Sequence, residues 1–192
     1  MVYTAQKNQI LNVGKIVKGF RAYLALDGGL QTNVVLGSRS QYFPITSAGV
    51  ILKGERYTTG IKTYGESKGV RVQQKHKESI VDQSVIQVFK GPEYESLSKE
   101  SKEQLRQGVF SVASGNRMGI ELKDPITTQV TKIVTGPVLP GTVQLTPSGK
   151  LIVLMRDCQV TGGYPRIVQL TEQAINSMAQ KKQGDSIQLS FE

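Results

Sequence analysis

Short apolar segments rich in Val, Ile, Thr and Tyr alternate with glycine- and proline-containing turns along most of the chain. Segments of this length and composition are typical of β-strands, and their regular punctuation indicates a mainly β domain. The pattern predicts strands over residues 10–17, 20–26, 85–89, 109–112, 118–122, 129–134, 142–145, 151–155, 165–170 and 186–191.

The clearest hairpin joins the strands at 142–145 and 151–155 through Thr146-Pro147-Ser148-Gly149. Pro147 presets its own φ, and Gly149 accepts a positive φ without steric cost. Both residues therefore favour a tight turn at this point.

Two segments break the β pattern and predict short helices. Residues 96–107 are polar and rich in helix-forming residues, with a serine available as cap. In the second, residues 171–183, Thr171 is placed to accept hydrogen bonds from the first free amides, and Leu170 and Ile175 are spaced as a hydrophobic staple. Gly184 follows as the stop signal.

Residues 60–83 are polar, contain glycine and carry many charges, so they predict a long exposed loop or a boundary. We place the boundary so that it divides the chain into residues 1–72 and 73–192.

Composition narrows the class of protein. Hydrophobic residues make up 38% of the chain, and no apolar run is long enough to cross a bilayer. A single cysteine cannot form an internal disulfide, and the first residues lack the order of a signal peptide, so we expect a cytoplasmic protein without membrane contact.

The net charge of +9 comes from basic residues that are dispersed along the chain and are denser only over residues 53–77. We therefore expect no nucleic-acid binding, and interpret the charge as solubility or as a basic face for an acidic partner or anionic substrate.

Standard catalytic signatures are scarce. His76 is the only histidine and has a lysine on each side, which indicates a solvated side chain. Cys158 follows an apolar strand and is interpreted as a small buried residue. One Cys and one His cannot form a zinc site, and Gly14-Lys15 lacks the rest of a phosphate-binding loop.

One polar segment, residues 157–166, lies between two predicted strands and combines a carboxylate, amide, hydroxyl, phenol and guanidinium with two adjacent glycines. Backbone amides at such glycines can hold a carbonyl or anionic oxygen, which favours a substrate-binding loop. A tight turn whose polar side chains satisfy local backbone groups fits these residues equally well.

Several blocks of the chain follow the signature of one protein family in the same order. They are Arg21-Ala22-Tyr23-Leu24-Ala25 with Gly28-Gly29, Leu36-Gly37-Ser38-Arg39-Ser40, Ser114 with Arg117-Met118-Gly119, Pro140-Gly141 with Gln144, the turn 146–149, Asp157-x-Gln159-x-Thr161-Gly162-Gly163-Tyr164-Pro165, and the tail 178–185. These blocks resemble the KipA family, also called the C subunit of 5-oxoprolinase or allophanate hydrolase subunit 2, which is biotin-dependent carboxyltransferase-like. Val160 and Cys158 depart from its usual Thr and Arg, and its N-terminal segment with a Gln-Asp-x-Gly-Arg-x-Gly motif is not found here.

The resemblance implies a cyclophilin-like β-barrel with one or two short helices. Residues 1–72 would be the remainder of an N-terminal lobe, and residues 73–192 a C-terminal lobe with the Gly-Gly-Tyr-Pro motif. The implied function is that of the C subunit of ATP-dependent 5-oxoprolinase, which converts 5-oxoproline to glutamate with the A and B subunits and is not active alone. The alternatives are a regulatory protein that binds a KipI-like inhibitor of a histidine kinase, and a carboxyltransferase module related to urea carboxylase.

The resemblance also implies site residues, to which we assign roles by residue type. Asp157 and Tyr164 are the catalytic candidates, with Asp157 acting as a base or fixing an arginine. The predicted substrate-binding residues are Gln159, Thr161, Gly162, Gly163, Arg117, Arg39 and Gln144. Arg39 serves equally well as a structural residue that bonds turn carbonyls. ATP is the expected co-substrate, with no identifiable site, and we expect no metal.

Overall fold

The computed structural model describes residues 3–61, 80–129 and 133–192. The chain divides into two compact units, the first formed by Met1–Leu11 and Ala22–Arg71 and the second by Asn12–Arg21 and Val72–Glu192. The predicted boundary between residues 72 and 73 lies outside the described residues and stays a prediction. Half of the predicted strand at 129–134, residues 130–132, also lies outside them.

The second unit is built around a closed seven-stranded β-barrel. Its strands are β1 (Val85–Lys90), β2 (Val109–Gly115), β3 (Gly119–Leu122), β5 (Thr142–Leu145), β6 (Leu151–Leu154), β8 (Arg166–Leu170) and β9 (Ser186–Phe191), while β4 (Gly136–Pro137) and β7 (Thr161–Gly162) form a separate small sheet. The strand order of the barrel is β1-β8-β5-β6-β3-β2-β9. Strands β1 and β9 pair in parallel and close the barrel, while the other neighbours pair antiparallel. The prediction of a mainly β fold with a barrel and two short helices is confirmed.

Alternation along the strands fills the barrel. On β1, Ile86 and Val88 are buried while Val85 and Gln87 are not. On β9, Ile187 and Leu189 are buried in the same alternating pattern. A period of two places these side chains on one face, where each contributes about 1.5–3 kcal/mol by leaving water.

Two short helices pack on the barrel, and both begin at the predicted type of cap. Helix α1 (Lys99–Gln107) begins after Ser98, whose side chain accepts from Ser101 N, and a 3₁₀ turn over Tyr94–Ser96 precedes it. Helix α2 (Glu172–Met178) begins after Thr171, whose hydroxyl accepts from Ala174 N at 3.2 Å.

The hairpin between β5 and β6 closes as predicted, since Gly149 N donates to Thr146 O at 2.9 Å and Gly149 has φ +83°. A Cβ at Gly149 would lie 2.2 Å from Ile126 O, so the close approach of the neighbouring segment also requires glycine.

The strands predicted at 10–17 and 20–26 are wrong. Ile10 and Val17 are 93% and 99% exposed, and neither segment pairs with a strand of the described chain. Gly19 turns the chain at φ +84°, and the amides of Phe20 and Arg21 donate to the side chain of Gln180 instead of to a neighbouring strand. Apolar residues do not form a strand without a partner for their backbone groups.

The first unit forms isolated β-bridges in its described part, between Leu30 and Thr59 and between Val35 and Ser38. Among the described residues of the whole chain, no helix has the length and apolar character that a membrane crossing requires.

Candidate functional site

The polar segment at 157–165 is a loop that leaves the end of β6 and returns to the barrel as β8. Backbone hydrogen bonds fix both ends of the loop. Asp157 N donates to Arg117 O at 3.0 Å, and Leu145 N donates to Pro165 O at 3.0 Å. The loop is thereby tied to the β2–β3 turn at one end and to β5 at the other.

The middle of the loop belongs to the small sheet, which sequence reasoning missed. Strands β4 and β7 pair antiparallel, and Val138 N donates to Val160 O at 3.0 Å beside them. Ile133 N also donates to Gly163 O at 3.1 Å. The segment before β5 therefore holds the Gly-Gly loop along much of its length.

Gln144 supports the loop from the barrel. It is 2% exposed, and its Nε2 lies 3.5 Å from Tyr164 O. A Cβ on Gly162 would lie 2.4 Å from the same Nε2, so any larger residue at this position would have to displace the buried Gln144 side chain. The buried position gives Gln144 a supporting role, and its predicted contact with substrate stays a prediction.

Two backbone amides of the loop have no internal acceptor in the part of the chain that the structure describes. Within the described residues, the amides of Gly163 and Tyr164 have no hydrogen-bond acceptor. The side chains of Gln159 and Thr161 are exposed beside them. Adjacent amides of this kind can bind a carbonyl oxygen or the negative charge that develops on it.

Arg117 and Asp157 form an ion pair at the start of the loop. Arg117 Nε lies 2.7 Å from Asp157 Oδ2, and Arg117 Nη2 donates to Asp157 Oδ1 at 3.1 Å. Both carboxylate oxygens thus accept from one guanidinium, which orients it and leaves its Nη1 for a further acceptor. Of the two roles considered for Asp157, this geometry favours fixing the arginine.

A second ion pair lies beneath the small sheet and joins Arg166 to Glu93. Arg166 Nη2 donates to Glu93 Oε1 at 2.6 Å, and both Arg166 Nε and Arg166 N donate to Glu93 Oε2, at 3.0 and 2.8 Å. Arg166 Nη1 also donates to Pro137 O at 2.9 Å, so this guanidinium links the barrel to β4. The hydrogen bond from Arg166 is the main reason that the pKa of Glu93 lies below its usual value.

Glu93 was not predicted from the sequence, because it lies far from the loop along the chain and belongs to no motif that signals a site. Arg166 in the polar segment was the one available signal for such a partner. A guanidinium that is largely removed from water requires an acceptor, but the sequence does not show that Glu93 is that acceptor.

Arg39 lies in the first unit, where its side chain donates to the carbonyl of Thr32 and the Thr32 hydroxyl donates back to Arg39 O. These contacts agree with the structural role considered for Arg39, and a role of Arg39 in substrate binding stays a prediction.

Burial has the largest effect on Cys158 and raises the pKa of its thiol, which disfavours the nucleophilic thiolate. His76 lies outside the described residues, among which no three acidic, Cys or His side chains cluster as a metal site would require.

The sequence matches one protein family over residues 1–191, the carboxyltransferase domain, subdomain A and B. It is 32% identical over 183 residues to the Escherichia coli (strain K12) protein named as the C subunit of 5-oxoprolinase, covering 93% of this chain and 58% of that protein. It is 26% identical over 193 residues to the protein of the same name from Haemophilus influenzae, covering 96% of this chain and 60% of that protein. The chain therefore spans about three fifths of the length of these curated relatives.

Solved structures share the fold. The Kluyveromyces lactis urea amidolyase matches 91% of this chain with a TM-score of 0.72 at 21% identity, over 12% of its own length. The urea carboxylase of the same organism matches 91% of this chain with a TM-score of 0.70 at 22% identity, over 18% of its own length.

Proposed function

Because the chain belongs to the family of carboxyltransferase domains, subdomain A and B, we propose that it acts within the C subunit of an ATP-dependent 5-oxoprolinase. The observation that carries this proposal is the 32% identity, over 93% of the chain, to the Escherichia coli protein of that name. In the proposed reaction, water adds across the lactam C–N bond of 5-oxoproline and gives glutamate, while ATP is hydrolysed to ADP and phosphate.

The proposed binding site for the lactam carbonyl is the exposed side of the Gly-Gly loop. Hydrolysis of the lactam places negative charge on the carbonyl oxygen, and the amides of Gly163 and Tyr164, which have no acceptor among the described residues, would donate to it. Gln159 and Thr161 are exposed next to these amides and would orient the ring. The Tyr164 hydroxyl would donate a proton to the ring nitrogen as the C–N bond breaks.

Arg117 is the proposed partner of the substrate carboxylate. Its Nε and Nη2 face Asp157, and its Nη1 is left to donate to a substrate oxygen. Asp157 is then a positioning residue, since it holds the guanidinium in one orientation. Gln144 and Arg166 are also positioning residues, since they hold the loop itself in place.

The proposed assembly contains the A subunit of the enzyme together with the B subunit or a KipI-like protein. We place this assembly in the cytoplasm, where ATP is available. A second candidate is carboxyl transfer, which the family description favours. The regulatory role stays a prediction.

The test is 5-oxoproline-dependent ATP hydrolysis by the full-length protein, co-expressed with its cognate A and B subunits. Gln159→Ala and Tyr164→Phe are the site variants. The matched controls make the same two substitutions at exposed positions elsewhere, Gln188→Ala on β9 and Tyr42→Phe in the first unit. We expect the site variants to lose about tenfold or more of kcat/KM and the controls to retain wild-type activity.

A stable complex without 5-oxoproline-dependent hydrolysis would refute the oxoprolinase proposal. Transfer of a carboxyl group from carboxybiotin to an amide acceptor by such a complex would then support the second candidate. Equal losses in site and control variants would remove the Gly-Gly loop from the mechanism while leaving the proposed place of the chain in the enzyme intact.

A further inference from the structure

A groove of about 440 Å³ lies in the second unit beside β2 and β3. None of the loop residues 157–166 lines it, so it is separate from the site described above. Its volume is within the range of sites that bind small molecules, which is roughly 300–1,000 Å³.

The lining of the groove is strongly basic. Arg21, Lys181 and Lys182 line it, and no acidic residue of the described ranges does. Two carboxylates act on Lys181 electrostatically and bond other groups: Asp185 Oδ2 accepts from Lys182 N at 3.0 Å, and Asp82 pairs with Lys18 at 2.6 Å. The field inside the groove therefore favours a ligand with more than one negative charge.

Lys181 is the unusual member of this set, because it is only 7% exposed. Its Nζ donates to Val81 O at 3.1 Å, and in the described part of the chain it has no second acceptor and no ion pair. Burial lowers the pKa of Lys181, against a weaker opposing effect of Asp185 and Asp82. A buried ammonium with one carbonyl partner is costly, and an anion beside it would offset that cost.

The rim of the groove is fixed in place. Gln180 Oε1 accepts from Phe20 N at 3.0 Å and from Arg21 N at 3.2 Å, and Arg21 Nη2 donates to Asn116 O at 2.8 Å. Phe20 and the buried Val112 supply apolar surface next to the cations. The groove thus combines apolar surface with the Arg21 and Lys181 side chains, which hydrogen bonds hold in place, and with the exposed Lys182.

We propose that this groove binds a phosphorylated small molecule, with its planar or apolar part on Phe20 and its phosphates between Arg21, Lys181 and Lys182. Three cations without a lining carboxylate exceed what a single carboxylate ligand would require, and a diphosphate matches them better. A nucleotide such as ADP belongs to this class of ligand. The binding proposal does not depend on the ring-opening activity, although it would supply an ATP site if that activity holds.

The test is titration calorimetry of the full chain with ADP, inorganic pyrophosphate, adenosine and 5-oxoproline at low and high salt. The measurement uses this chain without the other subunits of the enzyme, so its result is separate from that of the activity assay. We expect ADP and pyrophosphate to bind more tightly than adenosine and 5-oxoproline, with an affinity that falls as salt rises.

Lys182→Gln and Lys99→Gln form a matched pair, since both remove an exposed charge that has no side-chain hydrogen bond within the described residues. We expect Lys182→Gln to weaken ADP binding about fivefold and Lys99→Gln, on helix α1, to leave it unchanged. Lys181→Met should weaken it further while the protein stays folded, because an apolar residue replaces a buried charge.

Three results would overturn the proposal: no binding of ADP or pyrophosphate at millimolar concentration, equal effects of the two glutamine variants, or binding of 5-oxoproline that is tighter than that of ADP. If Lys181→Met does not fold, the comparison of Lys182→Gln with Lys99→Gln decides alone.

Discussion

Replacing Glu93 by glutamine keeps the size of the side chain and removes its charge from the ion pair beneath the small sheet. Glu93 accepts from three nitrogens of Arg166, and the two side chains are only 21% and 19% exposed. Glutamine offers one acceptor oxygen, so its amide nitrogen would face a guanidinium nitrogen, donor against donor. The guanidinium would lose its counter-charge while it remains largely out of water.

The expected cost follows from this geometry. Removing one partner of a fully buried pair costs about 3–5 kcal/mol. Glutamine retains one of the hydrogen bonds, and the pair keeps some contact with water, so we expect about 2–3 kcal/mol for Glu93→Gln at pH 7. With a urea dependence near 2 kcal/mol per M, the unfolding midpoint would fall by roughly 1 M.

The pH dependence gives a second, independent measurement. The bond from Arg166 lowers the pKa of Glu93 below its usual value of 4.5, so the unfolded chain binds the proton more readily than the folded one. The stability that Glu93 contributes is therefore complete above pH 4.5 and is lost as the pH falls through its lowered folded pKa. Glutamine does not titrate, so the difference between wild type and variant should shrink below pH 4.5.

Urea unfolding of wild type, Glu93→Gln and the exposed control Glu192→Gln, at pH 7 and at several values below pH 4.5, measures both effects. The control should match wild type at pH 7, because Glu192 is exposed. A Glu93→Gln midpoint equal to that of wild type at pH 7 would refute the argument. So would a difference that stays constant with pH, because the stabilisation would then not come from the charge.

Three further predictions concern residues of the loop and its neighbours. Gly162→Ala should lower the free energy of unfolding by about 1–3 kcal/mol, because the added Cβ would lie 2.4 Å from Gln144 Nε2. Gly163→Ala should be near neutral, because its Cβ would have its closest contact at 3.7 Å, and the urea midpoints of the two variants test the difference. Thr171→Ala should cost about 1 kcal/mol by removing the cap of α2, and Thr171→Ser should restore it in the same assay. Cys158 should react with iodoacetamide at pH 8 more slowly in the folded protein than after unfolding, because burial raises its pKa; equal rates would contradict this.

The barrel could be predicted from the sequence because its signals are local. Alternation marks a strand wherever one face is buried, and the hairpin and both helix caps depend on single residues such as Gly149, Ser98 and Thr171. The same rule failed over residues 10–17 and 20–26, which have apolar β-forming residues but no partner strand in the described chain. Apolar composition predicts that a residue can be in a strand, while pairing decides whether it is.

The small sheet β4–β7 could not be predicted for a related reason. Two residues on each strand give no periodicity, and Gly136 and Pro137 on β4 carry no strand signal. The sheet is supported by Arg166, which donates to Pro137 O while it is paired with Glu93. That contact depends on residues distant in sequence, and no pattern within the loop reports it.

The polar residues associated with the loop consequently separate into two groups that the sequence does not distinguish. Gln144 and Arg166 act from the barrel side, with little exposure, while Gln159 and Thr161 are exposed beside the unpaired amides. A substitution in the first group removes contacts of the folded state, so it should change stability and activity together. A substitution in the second group removes groups that only a ligand would contact, so it should change activity and leave the urea midpoint unaltered. Measuring both quantities for each variant thus distinguishes support of the loop from recognition of a ligand, which activity measurements alone do not.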